Sequence, residues 1–309
     1  MKCVELFAGA GGAALGLEAA GFEHLALVEW DADACATLRA AGLGSVVEGD
    51  VRDLGTLPVS ACDLLWSSFP CQAWSTAGKR RGAEDERNGW PWTVAAIDHL
   101  SPRWFLGENV RGLTYHRGGC PHKGGQPVLL GATDPRLCPG CYLERVIVPE
   151  LASRFTHAGY WVLDAADYGV PQHRRRVILW AGPTKLEAPT PTHGPGRPQP
   201  WAHPSWGSTP APTVTQQEVK GTRASKASGY TFNGGPDRAS DALFMATGRR
   251  RLTVSECATL QDFPPGHPFQ GTKTSQYRQV GNAVPPTLAA VVARTIVLAD
   301  PRLLADPSL

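Results

Sequence analysis

Short apolar runs recur through the first 180 residues, each closed by polar or glycine-bearing turns: Val4 to Phe7, Leu25 to Glu29, Val46 to Glu48, Leu64 to Trp66, Trp104 to Leu106, Trp161 to Leu163 and Val177 to Trp180. Runs this short are read as buried strands. Between them Gly12 to Ala20, Trp92 to Leu100 and Tyr142 to His157 carry helical spacing. This alternation predicts an α/β fold with a doubly wound, mostly parallel sheet.

The pattern changes at Pro183, because nine of the 27 prolines fall between Pro183 and Pro212. Proline-dense sequence supplies neither continuous helix nor central strand. The expected organisation is therefore a main domain over residues 1–182 with an insert at about 114–142, a small irregular region over 183–248, and a segment over 249–309 that returns to the main domain. Apolar residues from Thr287 to Leu298 predict a helix packing back on that domain and bringing the two chain ends together.

Composition narrows the class. With 42% hydrophobic and 19% charged residues in 309, the chain can bury a substantial core. A net charge of +2 says little about nucleic acid, yet Lys79-Arg80-Arg81, Arg174-Arg175-Arg176 and Arg249-Arg250-Arg251 concentrate positive charge locally. Glu5 and the glycines at 9, 11, 12 and 16 break any signal-peptide apolar region, and no run reaches the ~18 apolar residues of a membrane span. Eight cysteines, several in apolar segments, suit a reducing cytoplasm better than a disulfide framework.

Candidate chemistry begins with Phe69-Pro70-Cys71-Gln72, where a lone cysteine follows the apolar run Leu64 to Trp66. The end of a parallel strand is where open α/β folds bind their ligands, so Cys71 is placed as a nucleophile rather than as core. Glu5-Leu6-Phe7-Ala8-Gly9-Ala10-Gly11-Gly12 sets a glycine turn between a strand and a helix, with Glu29 ending the next strand about twenty residues on and Asp50 following the third. These residues describe an adenosine pocket. The glycine spacing does not suit a pyrophosphate, so S-adenosylmethionine fits better than NAD.

After the glycine loop come Phe-Pro-Cys-Gln at 69–72, Glu108-Asn109-Val110, Gln172-His173-Arg174-Arg175-Arg176 and Gln279-Val280-Gly281-Asn282, in that order. In this combination the chain resembles the DNA (cytosine-5) methyltransferase family from Val4 to about Val292. The resemblance implies methyl transfer from S-adenosylmethionine to C5 of a cytosine flipped out of double-stranded DNA. Cys71 would attack C6, since covalent addition there makes C5 reactive. Glu108 would contact N3 and the amino group, while Arg176 with Arg174 would hold the O2 side and orient Cys71. The implied cofactor contacts are Phe7, Ala8, Gly9, Gly11, Gly12 and Glu29 on the first half of the pocket. Trp30, Asp50, Val51, Pro70, Asn282 and Ala283 complete it. Residues Gln72 to Asn88, with Gly78, Gly82 and the 79–81 cluster, suit a loop closing over DNA.

Two segments depart from the family pattern. In the insert, Cys120, His122, Cys138 and Cys141 have the makings of a tetrahedral structural zinc site, with His116 as an alternative ligand to His122. The region from Pro183 to Gly248, where the family reads its target bases, is short, and includes the element Thr209 to Thr215. Alternative readings are a tRNA cytosine-5 methyltransferase and a silent zinc-stabilised DNA-binding homologue. The first is disfavoured by Cys-Gln-Ala-Trp-Ser at 71–75, where the RNA branch resembles Cys-Gln-Pro-Phe-Thr. The expected setting is a cytoplasmic monomer, away from membranes, acting on DNA alone or beside a restriction nuclease.

Overall fold

A computed structural model describes residues 1–70, 88–116, 120, 138–200, 210–211, 213–214, 252–300 and 302. All seven apolar runs are strands: β1 (Lys2–Leu6), β2 (Glu23–Glu29), β3 (Val46–Glu48), β4 (Leu64–Ser67), β5 (Trp104–Val110), β6 (His157–Asp164) and β7 (Arg175–Gly182). They form one sheet in the order β3-β2-β1-β4-β5-β7-β6, parallel except for β7, which runs against both neighbours. The expected α/β architecture with a mostly parallel sheet is observed.

Period-two alternation explains why both faces are apolar. Leu64 and Trp66 of β4 face one side with Trp104 and Leu106 of β5, while Leu65 and Phe105 face the other. Helix α1 (Gly12–Ala19) and the C-terminal helix Pro286–Ala299 cover the first face. Helix α3 (Trp90–Leu100), with α4 (Pro139–Tyr142) and α5 (Val148–Ala152), covers the second. Covering both faces is what makes such strands read as continuous apolar runs. Helix α2 (Ala32–Ala40), which connects β2 to β3, starts where the Asp31 side chain accepts the Ala34 N–H at 3.1 Å.

The return of the C-terminus is a close fit. A Cβ on Gly16 of α1 would strike the Pro286 carbonyl oxygen and come within 2.6 Å of the Ala289 Cβ, so only glycine lets the two helices approach this far. Past that helix, the buried Asp300 carboxylate takes hydrogen bonds from Arg103 Nε at 2.8 Å and Trp104 Nε1 at 3.0 Å, fastening the chain to the start of β5.

Two expectations need correction. The helix read over Tyr142 to His157 is α4, a π turn at Leu143–Ile147 and α5, and the chain has already entered β6 at His157. Pro149 cannot donate to the Arg145 carbonyl, and the wider turn comes just before it. One stretch also comes nearer to a membrane span than expected: residues 273–299 have the length and apolar composition. They run as two helices, Lys273–Asn282 and Pro286–Ala299, broken at Ala283 to Pro285, and half of the apolar window is buried in the protein.

Candidate active site

Parallel pairing of β1 with β2 sets Leu6 opposite Val28, so the turn after β1 lies beside the end of β2. Phe7, Gly9 and Gly11 all take positive φ, at 58°, 54° and 86°, which winds the chain tightly into α1. Gly9 N–H donates to Glu29 Oε2 at 2.8 Å, while Trp30 and Asp31 N–H donate to Oε1 at 3.0 and 2.9 Å. Burial pushes the Glu29 carboxyl pKa up, and those three backbone donors oppose the shift. A carboxylate has about four lone-pair sites, so one is left to accept a ligand hydroxyl. A Cβ on Gly9 would meet nothing within 4 Å, and the Trp30 indole next to buried Glu29 is 75% exposed. The turn thus borders open space with an aromatic face at its rim.

Other members of the expected pocket are arranged around this turn in different ways. Asp50 is bound by its near neighbour Arg52, whose Nε donates to Oδ2 at 2.9 Å, and this hydrogen bonding holds the Asp50 carboxyl below its usual range. Val51 packs at the edge of the second apolar layer, and Pro70 is half-buried. A Cβ on Gly12 would collide with the Val284 carbonyl, which brings α1 against the Asn282-Ala283-Val284 segment. Asn282 itself is exposed and Ala283 buried.

A second group lies where β5 meets β7. Their antiparallel register sets Glu108 opposite Ile178 and Val110 opposite Arg176, so Glu108 and Arg176 are diagonal neighbours on one face. Arg176 Nε lies 2.6 Å from Glu108 Oε1, an ion pair with both side chains nine-tenths buried, although that N–H is not well directed at the oxygen. Burial raises the Glu108 pKa, and the charges of Arg176 and Arg174 pull it back only in part. A buried carboxyl of raised pKa beside a fixed guanidinium can exchange a proton with a ring nitrogen while the guanidinium holds a neighbouring oxygen.

Sequence reading grouped Arg174 with Arg176, but the structure sends their side chains to different partners. Arg174 is 1% exposed and donates through Nη1 to Val214 O at 2.9 Å and through Nη2 to Gly281 O at 2.9 Å and Ala283 O at 2.8 Å. It joins the chain just ahead of β7 to Gly281 and Ala283 and to Val214. Nor is the 174–176 run a solvated surface patch: two of its three side chains are buried, and Arg175 pairs with Asp164 at 3.2 Å. Val110, Arg111, Gly112, His173, Arg175, Arg176 and Thr213 line an open cleft of about 420 Å³ beside the Glu108 pair. With three arginines, it is suited to an anionic or polar ligand.

Two side chains emerge that sequence reasoning left out of the site. Asn109 is buried and its Nδ2 donates to Phe69 O at 3.0 Å, holding the backbone two residues before Cys71. Gln172, fully buried, donates to Leu260 O at 2.7 Å and accepts the Val214 N–H at 2.9 Å. Their presence in Glu108-Asn109-Val110 and Gln172-His173-Arg174 was the available signal. Cys71, the 79–81 and 249–251 clusters and His122 lie outside the described residues.

In the insert, His116, Cys120, Cys138 and Cys141 converge, with one ligand atom from each lying within 4.8 Å of the others. The alternative ligand, His116, is the histidine among the described residues that joins the three cysteines.

Comparison with known proteins agrees with this arrangement. Residues 1–126 and 201–298 match the model of the C-5 cytosine-specific DNA methylase family. The chain is 33% identical to the Type II methyltransferase M.NgoMIV of Neisseria gonorrhoeae, over 96% of its length and 97% of that protein's. It is also 33% identical to the Type II methyltransferase M.NaeI of Lentzea aerocolonigenes, over 96% of this chain and 74% of that one. Among solved structures, S. pombe Dnmt2 methyltransferase superposes with a TM-score of 0.64 at 14% identity, covering 97% of this chain and 99% of that one. Entamoeba histolytica methyltransferase EhMeth gives 0.62 at 13% identity, with 97% and 98% covered. At such identities the last two establish the fold.

Proposed function

The chain belongs to the C-5 cytosine-specific DNA methylase family, and from that membership we propose that it methylates C5 of a cytosine flipped out of duplex DNA, through an adduct between Cys71 and C6. The observation that carries this reading is the paired Glu108 and Arg176 beside Asn109, whose side chain holds the backbone leading into Pro70-Cys71.

Each residue then has a chemical task. The Cys71 thiolate adds to C6, forming the carbon–sulfur bond as the C5–C6 double bond opens toward N3. Glu108, whose carboxyl pKa burial raises, is the group placed to pass a proton to N3, and Arg176 holds O2. The enamine so formed makes C5 nucleophilic. After methylation N3 returns its proton to Glu108, and loss of the C5 proton to water expels the thiolate and restores the ring. Unstacking the base costs a few kcal/mol, which contacts along the DNA offset. Arg175 and Arg111 at the cleft supply positive charge for the neighbouring phosphates. Arg174 serves as a positioning residue through its three carbonyl partners.

S-adenosylmethionine, when bound, supplies an electrophilic methyl group. Phe7, Ala8, Gly9, Gly11 and Gly12 would hold it, with Glu29 placed to accept from a ribose hydroxyl and Trp30 offering an aromatic face to the adenine. Asp50, Val51, Pro70, Asn282 and Ala283 complete the walls. The open space at Gly9, the exposed indole and the last lone pair of Glu29 fit such a ligand.

The same reading takes residues 1–182 as the catalytic domain, 183–248 as the target-recognition region and 249–309 as the returning segment, with a structural zinc in the insert at about 114–142. The named relatives are Type II methyltransferases, and the reading extends to a cytoplasmic, monomeric enzyme that protects DNA from a partner nuclease. Incubation with labelled S-adenosylmethionine and either duplex DNA or tRNA tests the substrate. Label in DNA is expected; label in tRNA alone would overturn the reading.

A further inference from the structure

We propose that His116, Cys120, Cys138 and Cys141 hold a structural zinc ion through Nδ1 and three thiolates, with Glu144 orienting the imidazole and His122 taking no part, and that this knot braces the base-binding side of the active site. The metal site stands on its own geometry; its effect on turnover rests on the methyltransferase reading.

Distances carry the assignment. With Zn–S near ~2.3 Å and Zn–N near ~2.0 Å, a tetrahedron has N–S edges of about 3.5 Å and S–S edges of about 3.8 Å. His116 Nδ1 lies 3.5 Å from Cys120 Sγ, 3.6 Å from Cys141 Sγ and 3.8 Å from Cys138 Sγ. Cys120 and Cys141 sulfurs are 3.2 Å apart, inside the ideal edge but well beyond the ~2.05 Å of a disulfide. All three cysteines are buried and packed on one another, apart from the main core.

Surroundings of the cluster agree with a metal. The far ring nitrogen of His116, Nε2, faces Glu144 Oε2 at 3.6 Å, just beyond hydrogen-bond distance but on the side from which a carboxylate orients a metal-bound imidazole. Cys138-Pro139-Gly140-Cys141 is a tight knuckle at the start of α4, and a Cβ on Gly140 would sit 2.7 Å from His116 Nε2. Gly140 N–H also donates to Tyr115 O at 3.2 Å, tying the knuckle to the chain just before His116. This short segment has little apolar surface of its own, so a metal provides the cross-link.

The knot reaches catalysis along two routes. His116 follows the single 3-10 turn Arg111–Thr114 after β5, the strand that carries Glu108 and Asn109. Tyr142, next to Cys141, accepts the Asn88 Nδ2–H at 3.0 Å, and Asn88 Oδ1 accepts the Trp90 N–H at 3.2 Å at the start of α3. Asn88 is where the described chain resumes after the Cys71 segment. The glycine turn follows β1, on the other side of the sheet centre from β5, and meets the second route where Phe7 abuts Gly89.

Metal analysis of full-length protein prepared without chelator should find one zinc per chain, and cobalt replacement should give thiolate-to-metal charge-transfer absorption. His116→Ala and Cys138→Ser should lose the metal, whereas His122→Ala keeps it. Glu144→Gln, at a half-exposed position, should stay folded and lose about 10- to 100-fold in zinc affinity against a chromophoric chelator. In metal-free protein turnover should fall about tenfold or more, and by a larger factor than S-adenosylmethionine affinity. Sub-stoichiometric zinc, a Cys120–Cys141 disulfide, or metal lost in His122→Ala and kept in His116→Ala would overturn the site. If no methyl transfer is found but zinc binds as described, the metal site survives and the methyltransferase reading fails.

Discussion

Asn109 donates from Nδ2 to the Phe69 carbonyl at 3.0 Å, so the strand bearing Glu108 also holds the backbone that leads into Cys71. Replacing it should leave both groups present but misplaced. Asn109→Ala is expected to lower single-turnover methylation about 100-fold with little change in S-adenosylmethionine affinity. Rapid-quench kinetics beside equilibrium cofactor binding checks this; an equal loss in both would make Asn109 merely structural.

Glu108 should govern the alkaline limb of the reaction. Burial raises its pKa despite Arg176 and Arg174, so the proton it gives N3 persists above the ordinary carboxyl range and is lost as pH rises through the raised value. The same shift weakens folding over that window, since the native state binds the proton more tightly than the unfolded chain. Glu108→Gln is expected to lower the rate about 10²- to 10⁴-fold and to remove the alkaline limb while leaving the acid limb set by the Cys71 thiol. The pH profile of single-turnover rates is the measurement.

Trp30 is 75% exposed, so its loss should touch ligand and not fold. Trp30→Ala is expected to raise the S-adenosylmethionine Kd about tenfold, the scale of one aromatic stacking contact with its buried area, with unfolding free energy changed by less than ~0.5 kcal/mol. Calorimetric titration and denaturant unfolding on one preparation separate the two.

Asp300 should couple stability to acid. Burial opposes its charge, but Arg103, Arg302 and Trp104 donate hydrogen bonds that hold the carboxyl far below its usual range. A depressed carboxylate stabilises the fold above its unfolded pKa of ~3.9, and that contribution fades as pH falls toward the folded value. Asp300→Asn should cost about 1.5–3 kcal/mol near neutrality and progressively less below about pH 4. Urea unfolding of both proteins across pH 3 to 7 tests the sign.

Much of this was legible in the residues themselves. Alternation such as Leu64-Leu65-Trp66 reports a strand because each side chain must find a covered face, and the tight glycine turn after β1 was legible because φ preference is a local property. What the residues alone did not show depended on partners distant in sequence. The helix expected to reach His157 gives way because residues 157–164 pair with β7 along its whole length. Arg174 and Arg176 look alike in sequence, yet one meets carbonyls of Val214, Gly281 and Ala283 and the other a carboxylate. The bare Cα of Gly140 makes room for the His116 ring beside Cys138 and Cys141, which no ligand spacing reveals.

The central claim is that Cys71 bonds to C6 of the target cytosine. Duplex DNA carrying fluorine at cytosine C5 blocks the final proton loss, so the adduct should accumulate. Incubation with S-adenosylmethionine, followed by denaturation and peptide mass analysis, should find DNA attached to the peptide containing Cys71. Cys71→Ala should give neither the adduct nor methyl transfer to ordinary DNA. Undiminished methyl transfer by Cys71→Ala, or an adduct on another residue, would contradict the account.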